Sequence, residues 1–223
     1  MKSELIVKDN PKSNVAETLR IVRTNLLFSA VDESMKTILV TSSLPGEGKS
    51  FISSNLALTF ALNSHKILLV DCDMRKGRLH KIFNVENDKG FSDLLIDDIN
   101  VDVKKYIKKT EFDNLSIITM GTVPPNPAEL LSSARCKVIV SMLKNKFDYI
   151  IFDGTPVNGL TDSIIMASIV DKVAIVSSVG STKIDALKSC KQSLDNVEAN
   201  IAGVIANKIQ SDKNSYYSYY TEN

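Results

Sequence analysis

Cysteine is scarce and poorly spaced for chemistry. The 223 residues contain three, Cys72, Cys136 and Cys190, an odd set without Cys-x-x-Cys spacing. That argues against a zinc site or a disulfide framework and points to reduced thiols in a cytosolic core. The two histidines, His65 and His80, lack an acid–nucleophile context, so neither receives a catalytic role. Net charge is almost nil: 27 Lys and Arg stand against 26 Asp and Glu, for +1. A chain without a global field gives no electrostatic case for nucleic acid or an anionic membrane. Long apolar runs are missing too. Even Ile164–Val176 is broken by Asp171-Lys172, short of the roughly 20 apolar residues of a membrane span. Met1 to Asn10 alternates charge without an apolar stretch, unlike a signal peptide. The expectation is a cytoplasmic protein that meets a membrane only through a partner.

What is present suits one large α/β domain. Apolar residues make up 43% and charged residues 24% of the chain, a composition that excludes disorder for most of the length. A chain of this size buries roughly 70% of its unfolded surface and needs no staples. Apolar runs at Lys36–Thr41, Lys66–Asp71, Leu115–Met120, Tyr149–Asp153, Lys172–Ser177 and Ile201–Asn207 read as six strands. They are continuous rather than alternating, as strands covered on both faces are. Helical patterns fall at Ser50–Asn63, Ala128–Asn145, Thr161–Ile169 and Ile184–Asn196, with another at Val15–Phe28 before the first strand. Alternation of this kind predicts a doubly wound, mostly parallel sheet with helices on both faces. Residues 1–210 form that domain, and 211–223, without apolar periodicity, read as a flexible tail.

The first strand runs into Ser42-Ser43-Leu44-Pro45-Gly46-Glu47-Gly48-Lys49-Ser50, and a helical pattern follows. Glycines at 46 and 48 let backbone N–H groups turn inward around phosphate oxygens, and the helix start adds its positive end. Lys49 is placed to neutralise β/γ-phosphate charge, and the Ser50 hydroxyl to complete a Mg²⁺ shell. Ser43 stands where the general pattern has glycine. Ser43, Pro45, Gly46, Glu47, Gly48, Lys49, Ser50 and Phe51 are thus the candidate ATP-binding residues of a P-loop NTPase fold. Two strand ends are acidic: Asp71-Cys72-Asp73 after the second strand and Asp153 after the fourth. Parallel sheets bind ligands beyond the carboxyl ends of their strands. Asp71, Asp73 and Asp153 therefore join Lys49 as catalytic candidates and, with Ser50, form the candidate Mg²⁺ set.

These residues resemble the bacterial tyrosine kinases of capsule and exopolysaccharide synthesis over nearly the whole chain. Ser42–Ser50 matches their Walker A loop, Asp71-Cys72-Asp73-Met74-Arg75 their Walker A′, and Asp153 their Walker B acid. Pro125-Asn126-Pro127-Ala128-Glu129-Leu130-Leu131-Ser132 resembles a further segment of the family. Gly154-Thr155-Pro156 stands where the family often has Thr-Pro-Pro. The competing likeness is to partition and division-site ATPases, whose loop carries a signature lysine at the position of Leu44 and glycine at that of Pro45. The resemblance implies an ATP- and Mg²⁺-dependent, autophosphorylating protein-tyrosine kinase of the stand-alone Gram-positive type. Its implied partners are the cytoplasmic tail of a transmembrane chain-length regulator that recruits it to the inner face of the membrane, a phosphotyrosine phosphatase, and protein substrates. Nucleic acid is not among them.

Val15, Leu19, Val22 and Leu26 fall within a stripe about 60° wide on the amino-terminal helix, while Glu17 and Arg20 lie opposite and Arg23 on the flank. By spacing alone this is a solvated face with one weak ion pair. The resemblance makes Glu17-x-x-Arg20-x-x-Arg23 a subunit-contact motif of a homo-oligomeric ring. Four of six tyrosines, Tyr216, Tyr217, Tyr219 and Tyr220, crowd into the last eight residues among Ser and Asn, and the resemblance makes them phosphoacceptors. A phenol of pKa near 10 needs a carboxylate to take its proton. Asp71 or Asp73 is that base, with Asp71 preferred because it ends the buried strand. Asn207, ending the last strand, is placed near the adenine by analogy with related ATPases. Lys104, Lys105, Lys108 and Lys109 read as a basic helix face, solvated or turned to a membrane-proximal partner.

Overall fold

Strands that are apolar on both faces need two layers of cover, and this chain provides both. The computed structural model describes residues 4–30, 35–98 and 101–209. In chain order it contains α1 (Ile6–Asp9), α2 (Asn14–Phe28), β1 (Thr37–Ser42), α3 (Lys49–Ala61), β2 (Ile67–Asp71), α4 (Leu79–Ile82) and α5 (Phe91–Ile96). A 3₁₀ turn (Val103–Tyr106) leads into β3 (Lys108–Lys109), β4 (Leu115–Ile118), α6 (Pro127–Ser132), α7 (Ala134–Lys144) and β5 (Tyr149–Pro156). The chain continues through α8 (Asp162–Ala167), β6 (Lys172–Ser178), α9 (Ile184–Asp195) and β7 (Ile201–Asn207). The strand order is β3-β4-β2-β5-β1-β6-β7. Only the β3–β4 pairing is antiparallel among the described residues.

Each inner strand divides its side chains between two cores. Ile38, Val40, Ile67, Leu69, Ile151 and Val176 face α2, α3 and α4. Leu39, Leu68, Val70, Phe152 and Ile175 face α5 to α9. This parity is why the strands read as unbroken apolar runs. The chain moves outward from β1 to β2 and β4, returns to β5, then passes to β6 and β7 on the other side of β1. The reversal leaves a crevice at the carboxyl ends of β1, β2 and β5.

The doubly wound sheet agrees with expectation, and several local readings do not. A seventh strand, β3, caps one edge. It contains Lys108 and Lys109, while Lys104 and Lys105 lie on the 3₁₀ turn, so the four lysines form no helix face, and Lys108 pairs with Asp88. Ala128–Asn145 is two helices rather than one. Ser133 is extended (φ −65°, ψ 150°) and its hydroxyl accepts from Cys136 N at 3.2 Å. A mid-pattern serine here starts a helix instead of continuing one. On α2 the buried positions are Ala16, Leu19 and Leu26, whereas Val15 is 49% exposed. The small Ala16 lets α2 settle onto α3, and that rotation turns Val15 out.

Candidate active site

The loop between β1 and α3 takes the shape its glycines permit. Gly46 (φ +78°) and Gly48 (φ +102°) are both left-handed. A Cβ on Gly48 would lie 2.1 Å from Asn207 Nδ2, so only glycine fits there. Gly48 is the N-cap of α3, whose first residue is Lys49. Lys49 is buried at 8% exposure, and Ser43 is fully buried with its hydroxyl unpartnered. Pro45 and Gly46 are exposed, whereas the Phe51 side chain packs into the α2–α3 core, which leaves its backbone as the part facing the loop.

Glu47 behaves differently from its neighbours. Its carboxylate is 3% exposed and accepts from Leu44 N at 2.7 Å and Ser178 N at 3.3 Å, and from the Thr182 hydroxyl. Two carbonyl oxygens of the loop, those of Gly46 and Glu47, are held by residues at the end of β7. Asn207 Nδ2 donates to Glu47 O at 2.8 Å, and Lys208 Nζ to Gly46 O at 2.6 Å. Asn207 thus joins the site as a brace of the loop, and its own Oδ1 accepts Lys208 N at 2.8 Å.

The acidic residues converge as their strands do. Asp71 and Asp153 are register partners on β2 and β5. Burial raises both, and the Asp153 charge raises Asp71 further. Asp153 is pushed up to about 6 by burial, while the hydroxyls of Ser50 and Ser53 and the Lys49 charge pull the other way. Two buried carboxylates side by side disfavour each other's charged form. Asp71 Oδ2 accepts Leu79 N at 3.1 Å and Oδ1 accepts Asp73 N at 3.3 Å. Asp73 is half-buried, and its Oδ1 accepts the N–H groups of Arg75 (3.2 Å) and Lys76 (2.9 Å). Asp73 is thus the more exposed of the two carboxylates, and Asp71 is enclosed.

These positions suit a divalent cation beside phosphate. Asp153 Oδ1 is buried without a hydrogen-bond partner, near Ser50 at the helix start. Among the described residues no three His, Cys, Asp or Glu side chains form a group able to hold a metal alone. A cation here would complete its shell from Ser50, phosphate oxygens and water.

Sequence reasoning missed several supports. Arg75 Nε donates to Asp162 Oδ2 at 3.0 Å, tying the segment after β2 to α8, where Asp162 is 1% exposed. Gly77 packs against Asp71, and a Cβ there would meet the carboxylate at 2.6–2.8 Å. Beyond Asp153, β5 runs on to Pro156, with Gly154 against Leu39 and Ser163. Ser178, Thr182 and Asp162 carry no local signature, and only the isolated Gly77 hinted at a close approach.

On α2, Arg20 Nη1 pairs with Glu17 at 2.8 Å on the surface. Arg23 instead turns inward, donating from Nη1 to Thr59 O of α3 at 2.6 Å. Glu17 is thus exposed, Arg20 is half-buried with its Nη2 donating to Pro11 O at 2.8 Å, and Arg23 is anchored to α3. The tail tyrosines Tyr216, Tyr217, Tyr219 and Tyr220 lie outside the described residues.

A family model described as an AAA domain matches residues 35–209. The chain is 37% identical to a putative tyrosine-protein kinase, CapB, of Staphylococcus aureus, over 98% of this chain and 95% of that one. It is 35% identical to the tyrosine-protein kinase YwqD of Bacillus subtilis, over 99% and 92%. The crystal structure of the chimerical protein CapA2B2 superposes with a TM-score of 0.89 at 34% identity, covering 95% of this chain and 92% of that one. The septum site-determining protein MinD of Pyrococcus horikoshii shares the fold alone, at TM-score 0.65 and 21% identity over 80% of this chain and 72% of that one.

Proposed function

Because the chain belongs to the bacterial tyrosine-protein kinases, we propose that it transfers the γ-phosphoryl group of ATP to tyrosine hydroxyls, its own Tyr216, Tyr217, Tyr219 and Tyr220 among them. The observation that carries this reading is the convergence of a phosphate-shaped loop with Asp71 and Asp153 at the ends of neighbouring strands. The loop N–H groups and Lys49 bind and orient the triphosphate. Ser50 and Asp153 would hold Mg²⁺, which would offset the carboxylate repulsion and the charge on the transferring group. Asp73, the half-exposed carboxylate, takes the phenol proton, and Asp71 fixes its surroundings through Asp73 N. Burial of Lys49 and Asp153 keeps the charges in a weakly screened site, where they act strongly.

The remaining parts of the reading rest on the resemblance. Residues 1–210 are the kinase domain and 211–223 its phosphoacceptor tail. Glu17, Arg20 and Arg23 serve assembly into a ring. A transmembrane regulator recruits and activates the kinase in capsular or extracellular polysaccharide synthesis, and a phosphatase reverses the modification. Among the described residues no helix is long and apolar enough to cross a membrane.

Incubation with ATP and Mg²⁺ followed by mass spectrometry tests the activity. Phosphate on the tail tyrosines is the expected result. Steady ATP hydrolysis without phosphotyrosine would favour a partition-type ATPase instead.

A further inference from the structure

A loop that has to hold an anion buries a carboxylate of its own. Glu47 sits between the two left-handed glycines, and its side chain ties that turn to the start of the loop and to β6. A carboxylate facing a triphosphate would repel it. Here it faces away, into three donors. Leu44 N belongs to the loop itself, while Ser178 N comes from the end of β6 and the Thr182 hydroxyl from the connection between β6 and α9. Ser178 N also reaches Thr182 Oγ1 at 3.1 Å, which closes the group into a small network.

The anchoring has a consequence for the backbone. With the Glu47 side chain drawn toward β6, the carbonyls of Gly46 and Glu47 point to Lys208 and Asn207 at the end of β7. Carbonyls turned outward leave the N–H groups of a left-handed turn on the inner side, the arrangement that cradles phosphate oxygens. Free of its tether, a turn built on two glycines has many other conformations open to it. Ordering it would then fall to the nucleotide and reduce its affinity.

We propose that Glu47 is the positioning residue of this loop and that Thr182, remote in sequence and in none of the motifs, sets nucleotide affinity through it. In this role Glu47 touches no phosphate; it acts through the backbone it holds. The inference deepens the reading of Ser42–Ser50 as a nucleotide loop and rests on it.

Calorimetric titration of the full chain with Mg²⁺ and a non-hydrolysable ATP analogue tests it, alongside thermal melting without nucleotide. Thr182→Val removes the hydroxyl and keeps the shape, and Thr182→Ser restores it. Thr182→Val is expected to weaken binding about tenfold, as loss of one hydrogen bond to a charged group does, and Thr182→Ser to bind like the parent. Glu47→Gln, which offers an N–H toward groups that are themselves donors, is expected to weaken binding at least as much. The proposal is overturned if Thr182→Val binds like the parent whatever its melting temperature, or if Thr182→Ser is as weak as Thr182→Val. Should Glu47→Gln not fold, the Thr182 pair decides. A parent chain that binds no analogue removes the nucleotide reading itself, and this inference with it.

Discussion

Asp71 and Asp153 face one another in register on adjacent parallel strands, both closed to solvent. The folded chain raises Asp153 from an ordinary 3.8 to about 6. It therefore binds that proton more tightly than the unfolded chain does. The stabilising contribution is full below about pH 4 and is lost as pH rises through 6. At pH 7 the nucleotide-free protein carries the whole penalty, on the order of 3 kcal/mol. Asp153→Asn is thus expected to stabilise the nucleotide-free chain at pH 7 by about 1–3 kcal/mol while removing phosphotransfer. Urea denaturation at pH 7 and pH 4.5 checks this, because the advantage must shrink at the lower pH. An equal difference at both pH values would contradict it.

Gly77 is needed because of what lies beside it rather than for its backbone angle. Its missing Cβ leaves room for the Asp71 carboxylate. Gly77→Ala must push that group or its own turn aside, at a cost of about 1–3 kcal/mol in stability. A displacement near 1 Å in such a site lowers kcat by roughly a hundredfold. Single-turnover phosphorylation and melting, measured together, would show both losses. A variant with parental kcat would mean that Asp71 needs no fixed position.

The helix motif should separate into two classes. Arg23→Ala removes the bond to Thr59 O, linking α2 to α3, and is expected to destabilise the fold by about 1–2 kcal/mol. Glu17→Ala disrupts only an exposed pair and should change stability by under about 0.5 kcal/mol, whereas Arg20→Ala also loses an exposed bond to Pro11 O and should cost under about 1 kcal/mol. Chemical denaturation ranks them. If all three cost the same, the inward turn of Arg23 is wrong.

Transfer between chains needs variants that leave the fold alone, so Glu17 and Arg20 are the residues to change. A Lys49→Met chain with its tail intact is mixed with an active chain in which Tyr216, Tyr217, Tyr219 and Tyr220 are Phe. Phosphate is expected on the Lys49→Met chain. It should largely vanish when Glu17 and Arg20 are Ala in both chains, because assembly raises the effective concentration of a neighbour's tail. Each phosphotyrosine adds about −1.5 to −2 charge, so phosphorylated wild type should elute as smaller assemblies. Equal labelling without the pair would refute the ring and leave the kinase assignment standing.

Much of this protein could be read along the chain. Strand and helix order, the phosphate loop and the acidic strand ends are local features, set by periodicity, by glycine's freedom at 46 and 48, and by where apolar runs stop. Short-range choices were harder. Ser133 ends one helix and starts another because its hydroxyl competes for backbone N–H groups, which an apolar pattern does not record. What only the tertiary structure decided are contacts between residues distant in sequence. Thr182 meets Glu47 across 135 positions and Asp162 meets Arg75 across 87. The sheet places β6 and α8 beside the loops of β1 and β2, and no local signal foretells such a neighbour. Arg23 carries the same lesson: its spacing fits a solvated face, yet the seating of Ala16 against α3 rotates the helix and brings the guanidinium to a carbonyl. Periodicity says that a helix has an inside, and only the partner surface determines which residues occupy it.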